Sequence, residues 1–241
     1  MAKHTTFKIG GPADLMVYAG SFSQLRGILT ACRENQVPVQ LLGNGSNILV
    51  SDKGIRGVVV QLAGDFNRIT REGDAGICCG AGASLASACI YARDHDLTGL
   101  EFAWGIPGSA GGAAYMNAGA YGGEMKDVLR ACEHMTMDGK METLFGEELD
   151  LSYRHSAYSG GDNIILFLHL QLEKGHHSAI ASKMDELMER RKTKQPYDMP
   201  SAGSVFKRPE GYFAGTLIEQ CGLKGKTVGG AQVSPKHAGF I

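Results

Sequence analysis

The chain has 241 residues, 43% of them hydrophobic, and a formal net charge of −1, so it is long enough for two modest domains but offers no global electrostatic footprint for nucleic acid or an anionic membrane. No apolar run is long enough to span a bilayer, and the opening MAKHTTFKIGGPAD lacks the apolar core of a signal peptide, so a cytoplasmic protein is expected. The six cysteines (Cys32, Cys78, Cys79, Cys89, Cys132 and Cys221) form no CxxC pair, which argues against a zinc site or a disulfide framework and for structural thiols.

In chain order, Gly10, Gly11 and Pro12 bend the backbone ahead of the apolar run Leu15–Tyr18, a first strand. Ser21 or Ser23 can cap a helix reaching about Asn35, with Leu25, Ile28, Leu29 and Cys32 on one face. Val39–Leu42 predicts a short strand that enters Gly43-Asn44-Gly45-Ser46-Asn47. A strand running into such a turn is suited to hold phosphate through backbone N–H groups. It is not a P-loop, because no GK[ST] follows. Nor is it the dinucleotide fingerprint, because Ile48 stands where GxGxxG needs glycine. A plain turn is the alternative. Val58–Leu62 and Ile77–Cys79 predict further strands. Ser84 can cap a helix that buries Leu85, Ala88, Cys89 and Ala92.

The stretch Glu101–Gly123 packs seven glycines among small residues and apolar anchors such as Phe102, Trp104 and Ile106. Flexible linkers lack such anchors, so this reads as an ordered loop system lying against a large phosphate-bearing ligand. Asp138-Gly139 marks a hairpin. In Asn163–Leu172, Leu166, Leu168, Leu170 and Leu172 alternate with Phe167, His169 and Gln171, the pattern of a strand with one aliphatic face. His169 there reads as a satisfied or exposed strand residue rather than a ligand. Leu151–Ser159 gathers Tyr153, Arg154, His155, Ser156 and Tyr158, which suits either recognition of a carboxylate or phosphate or a solvated loop with one surface arginine. Ser178–Arg191 predicts an amphipathic helix with Ile180, Met184, Leu187 and Met188 inward. It ends in Arg190-Arg191-Lys192, cations that favour the helix dipole. A boundary is expected near Lys174–His177, dividing residues 1–174 from 175–241. Leu217–Cys221 predicts a short helix closed by Gly222, Gly229–Gln232 a turn, and Ser234–Ile241 an apolar run that stops in mid-strand by its pattern.

Seven segments, in order, resemble the UDP-N-acetylenolpyruvoylglucosamine reductase (MurB) family in its shorter form, without the extra tyrosine-bearing loop. They are HTTFKIGGPAD (4–14), LLGNGSNILVSDKGIRGVVV (41–60), GIPGSAGGAAYMNAGAYGGEM (105–125), LSYRHSAY (151–158), RRKTKQP (190–196), PSAGSVFKRPEG (200–211) and AGTLIEQCGLKGKTVGGAQVSPKHAGFI (214–241). The resemblance implies an α+β chain: an FAD-binding fold of the vanillyl-alcohol-oxidase (PCMH) type in two α+β subdomains, then a smaller α+β substrate-binding domain. It also implies non-covalent FAD, NADPH as reductant, and reduction of UDP-N-acetylglucosamine enolpyruvate to UDP-N-acetylmuramate for peptidoglycan.

By this resemblance, Gly43, Asn44, Gly45, Ser46 and Asn47 form the FAD pyrophosphate turn. Gly105, Ile106, Pro107, Gly108, Ser109, Gly111 and Gly112, with Asn117, Ala118, Gly119, Ala120, Tyr121 and Gly122, line the rest of the cofactor. Arg154 of YRxS would stabilise an enolate-like species through the substrate carboxylate, and Ser204 of AGSxFK would protonate the substrate carbon. Tyr153, Arg191, Lys207 and Gln232 are candidate substrate contacts. There are two departures. Arg208 stands where the family motif FKNP has asparagine. The family's catalytic glutamate lies past Ile241, so a fragment or short gene model with much reduced turnover is expected. Another flavoenzyme of this fold, such as an oxidase, and a non-catalytic flavin-binding module remain as alternatives.

Overall fold

A computed structural model describes residues 1–241. The chain opens with β1 (Ala13–Ala19), α1 (Phe22–Glu34), β2 (Val39–Leu41) and β3 (Ile55–Leu62), which form a three-stranded parallel sheet in the order β1-β3-β2. Ser21 caps α1 by accepting the Gln24 N–H, and Leu25, Leu29 and Cys32 are buried, as the helical spacing predicts.

A second sheet follows. Its chain order is β4 (Ile69–Glu72), β5 (Gly76–Gly80), α2 (Leu85–Asp94), β6 (Leu97–Thr98), α3 (Ala110–Tyr115), β7 (Gly119–Ala120), β8 (Gly123–Glu124), α4 (Met125–Val128), β9 (Leu129–Met135), β10 (Met141–Phe145), β11 (Ile164–Gln171) and β12 (Glu173–Lys174). Five of these strands pair antiparallel in the order β10-β9-β11-β5-β4. Ser84 caps α2, and its buried stripe is Leu85, Ala88, Cys89 and Ala92. Leu166, Leu168, Leu170 and Leu172 all point into the core, and α3 packs against β11. Burial pushes the Cys79, Cys89 and Cys132 thiols up to about 12, consistent with inert structural cysteines. All six cysteines are free; Cys221 is the exposed one.

The helix α5 (His177–Lys194) bears on two expectations. Its Ile180 and Met184 belong to the same apolar core as both sheets, so the division expected at 174/175 falls ahead of a helix that packs on the first unit. Its fourth buried position is Arg191, not Met188, which is only half-buried. The remainder comprises α6 (Ala214–Gln220), which buries no residue, and a small hairpin of β13 (Thr227–Val228) and β14 (Ala231–Gln232) where a simple turn is predicted. Near Ile241 the chain forms no strand, only an isolated bridge between Ser204 and Phe240. No helix is long and apolar enough to cross a membrane.

On the other face of β11, His169 is satisfied rather than free. Its Nδ1 lies 2.9 Å from a Glu72 oxygen and its Nε2 lies 2.9 Å from Glu133. Burial pulls its pKa down, but hydrogen bonds to the two carboxylates outweigh this, and the net shift is upward. A raised folded-state value means that the stabilisation is complete below the unfolded value of about 6.5 and is lost as pH rises through the folded value. Wild type is therefore expected to exceed His169→Gln by about 1 kcal/mol near pH 5.5, with the gap closing in alkaline solution. Urea melts across pH check this, and a gap that widened with pH would contradict it.

Candidate functional site

The turn after β2 leaves its backbone donors unpaired. None of the five backbone N–H groups from Gly43 to Asn47 donates to a protein acceptor, the condition of an anion-binding nest. Gly45 supplies a left-handed residue at φ +63°. The Ser46 hydroxyl donates to the Pro107 carbonyl (2.7 Å), which ties this turn to the glycine-rich stretch. There Gly105 and Gly108 have φ +79° and +152°. Ser109, buried, caps α3 through the Gly112 N–H (3.2 Å). A Cβ on Gly43 would stand 2.5 Å from the Ser109 hydroxyl, and one on Gly111 would stand 2.7 Å from the Ala81 Cβ. The two predicted phosphate segments are thus packed against each other.

The N-terminal segment packs on this turn, a contact that sequence reasoning missed. Thr6 donates its N–H to the Gly45 carbonyl (3.1 Å) and its hydroxyl to the Ser201 carbonyl (2.7 Å), joining the turn to the C-terminal unit. A Cβ on Gly45 would meet the His4 carbonyl at 2.1 Å and the Thr5 Cα at 2.9 Å, both backbone. Gly73 has a similar φ of +60° with nothing within 4 Å. Gly45→Ala is therefore expected to cost about 2 kcal/mol more than Gly73→Ala, which carries only the left-handed strain. Thermal denaturation of the two variants checks this; equal losses would mean that the N-terminal segment does not press on the turn.

The second half of the site concentrates strained backbone. Asn117, Tyr121 and Arg154 all hold positive φ (+40°, +55° and +55°), costly for residues with a Cβ and typical of functional sites. Asn117 is fully buried. Its amide donates to the Ser152 carbonyl (3.0 Å), and its side-chain oxygen accepts the Lys126 N–H (2.9 Å). Its side chain clamps the two loops together. Arg154 donates to the Gly119 carbonyl (3.2 Å) and, at 3.5 Å, to that of Asn117, with Tyr153 beneath it at 5.1 Å. Ser156 and Tyr158 are buried, so the loop of residues 151–159 is anchored rather than solvated. Ala118, Ala120 and Gly122 complete the strip around the β7–β8 hairpin.

Tyr153 also connects to the C-terminal unit, its hydroxyl accepting the Arg208 N–H (3.1 Å). Arg208 turns into its own loop: the guanidinium lies 3.9 Å from the Phe213 ring, and Nε donates to the Tyr212 carbonyl. Ser204, exposed, has only a 3.5 Å approach to the Phe206 carbonyl. Lys207 is exposed, and Gln232 is occupied within the small hairpin, bonding Gly225 and Thr227. Arg191 lies apart from these, buried behind the Gly105 turn beside Tyr121 and Tyr197. Tyr197, which the sequence did not flag, bonds the Gly105 carbonyl. The unpaired N–H groups of Gly43–Asn47 fit a nucleotide cofactor carrying a diphosphate, FAD included.

Comparison with known proteins bears on this directly. An FAD-binding-domain family matches residues 13–144, and the C-terminal domain of UDP-N-acetylenolpyruvoylglucosamine reductase matches residues 195–241. The reductase of that name from Clostridium novyi is 51% identical over 241 residues, covering 100% of this chain and 78% of its own length. The crystal structure of the reductase from Thermus caldophilus superposes with a TM-score of 0.87 at 38% identity, over 100% of this chain and 85% of that one. A 6-hydroxy-D-nicotine oxidase from Arthrobacter nicotinovorans (TM-score 0.53, 15% identity, 66% of this chain and 36% of that one) shares the fold alone. The architecture is the FAD-binding fold of the PCMH type.

Proposed function

The chain belongs to the UDP-N-acetylenolpyruvoylglucosamine reductase family, an oxidoreductase family of peptidoglycan synthesis, and we propose that it reduces UDP-N-acetylglucosamine enolpyruvate to UDP-N-acetylmuramate with non-covalent FAD and NADPH. The observation that carries the reading is the row of unpaired N–H groups at Gly43–Asn47, tied through Ser46 to the Gly105–Gly112 turn. FAD, when bound, supplies the hydride chemistry. The protein's part is to grip, orient and manage charge.

In this reading the Gly43–Asn47 nest grips the cofactor diphosphate, while Gly105–Gly112 and Asn117–Gly122 line its length. Arg154 faces the substrate carboxylate and stabilises the charge that develops when hydride reaches the enolpyruvyl group. The Ser204 hydroxyl gives its proton to the adjacent carbon. Tyr153 and Lys207 contact the substrate, with Gln232 at the rim. The working division between cofactor and substrate units lies near residue 195, behind α5, where the packing changes.

The test is anaerobic. The protein is loaded with FAD, reduced with NADPH, freed of NADPH and mixed with UDP-N-acetylglucosamine enolpyruvate. Return of the oxidised flavin bands with formation of UDP-N-acetylmuramate is expected. A flavin that stays reduced until air is admitted, both here and in a C-terminally extended chain, would favour an oxidase or a flavin-binding module.

A further inference from the structure

The loop of residues 201–208, which carries Ser204, has no buried side chain to anchor it; every residue from Ser204 to Phe213 is exposed. Two hydrogen bonds join it to residues 1–194, one on each side of Ser204. The Ser201 carbonyl accepts the Thr6 hydroxyl (2.7 Å), and the Arg208 N–H donates to the Tyr153 hydroxyl (3.1 Å). Of these two partners, Thr6 also touches the Gly43–Asn47 turn, its N–H donating to the Gly45 carbonyl (3.1 Å). A single residue thus holds the turn with its backbone and the Ser204 loop with its side chain. Its own place is set by its neighbours. Thr5 is buried, with its hydroxyl donating to the Ile9 carbonyl (3.3 Å), and Lys8 closes the turn at φ +56° with its N–H on the Thr5 carbonyl (3.2 Å).

We propose that Thr6 is a positioning residue of the reaction: its hydroxyl, through the Ser201 carbonyl, holds Ser204 in register with the turn that grips the cofactor. This rests on the reductase reading above. A proton donor acts only within hydrogen-bond reach of the atom it protonates, and a displacement of about 1 Å is enough to cost a large part of the rate. Within the C-terminal unit the Ser204 backbone is fixed by the bridge to Phe240 and by the Val205 N–H on the Gly239 carbonyl. Those bonds set the loop relative to its own unit but not relative to the Gly43–Asn47 turn. The path Gly45–Thr6–Ser201 does, through two hydrogen bonds and one residue.

Thr6→Val removes the hydroxyl and keeps the N–H on Gly45, so FAD affinity and flavin reduction by NADPH are expected to stay within about twofold of wild type. Reoxidation by UDP-N-acetylglucosamine enolpyruvate, followed in stopped flow, is expected to slow about ten- to a hundredfold. Thr6→Ser, which keeps the donor, is expected to recover most of that rate. In a Ser204→Ala background, Thr6→Val is expected to add less than about a twofold loss, because the loop no longer has a proton to place, whereas general damage would multiply. A readout apart from activity is trypsin cleavage after Lys207, identified by mass. It is expected to be faster in Thr6→Val than in wild type or Thr6→Ser, the loop having lost one of its two ties. Thr6→Ala, which removes the hydroxyl without placing a methyl against the Ser201 carbonyl, repeats the test should the valine variant not fold. Reoxidation of Thr6→Val within about twofold of wild type overturns the proposal. So does an undiminished further loss in the Ser204→Ala background, or equal cleavage of wild type, Thr6→Val and Thr6→Ser. A wild type whose flavin the enolpyruvyl substrate fails to reoxidise would instead sink the proposed function, and this role with it.

Discussion

Replacing Arg154 by methionine is expected to lower turnover of UDP-N-acetylglucosamine enolpyruvate about a thousandfold, while FAD binding and flavin reduction by NADPH stay within twofold of wild type. The reason lies in how the side chain is held. Its guanidinium donates to the carbonyls of Gly119 and Asn117, at 3.2 and 3.5 Å, and stacks over Tyr153. Asn117 is itself clamped, its amide bonding Ser152 and its oxygen accepting from Lys126. A guanidinium has five N–H donors, so these two bonds leave an edge able to engage a carboxylate with two parallel bonds. Such a preset donor gains most where charge develops, and so it acts on the transition state more than on ground-state binding. Arg154→Lys, which keeps the charge but not the fork, is expected to recover part of the rate. Turnover within tenfold of wild type in Arg154→Met would remove the proposed role. Loss of FAD binding would make the residue structural.

What was legible in the sequence follows a physical line. The helical stripes of α1 and α2 and the alternation of β11 depend on local periodicity, and they appear where the spacing puts them. The glycine segments were legible because only glycine fits their backbone: Gly43, Gly45 and Gly111 each stand where a Cβ would collide. What was hidden depends on partners far along the chain. Thr6 meets Ser201 across 195 residues, and Tyr197 meets Gly105 across 92. The burial of Arg191 did leave a trace, because Ile180, Met184, Leu187 and Arg191 follow one i, i+4, i+7, i+11 stripe. Its charge, next to Arg190 and Lys192, made it read as one more cation favouring the helix dipole and, by the resemblance, as a substrate contact.

Ser204→Ala is expected to reduce turnover by about two to four orders of magnitude, through the step that protonates substrate carbon alone. Ser204 follows Gly203 at φ +81°, and its backbone is fixed by the bridge to Phe240 and by the Val205 N–H donating to the Gly239 carbonyl (2.9 Å). The hydroxyl, by contrast, has only the long 3.5 Å approach to the Phe206 carbonyl, so its proton is not committed to the protein. A serine hydroxyl is a poor acid in water, and it can act only when held against a strongly basic carbon, which is what a fixed backbone with an uncommitted hydroxyl provides. Removing one oxygen from an exposed turn leaves folding within about 0.5 kcal/mol of wild type, which separates the chemical loss from a structural one. In stopped flow, NADPH should reduce the flavin of Ser204→Ala at the wild-type rate, while reoxidation by the enolpyruvyl substrate becomes slow. Ser204→Cys, with a more acidic proton in nearly the same place, is expected to restore part of the rate. Reoxidation as fast in Ser204→Ala as in wild type would show that the proton comes from elsewhere, and an equal loss in Ser204→Cys would assign the serine to positioning the loop.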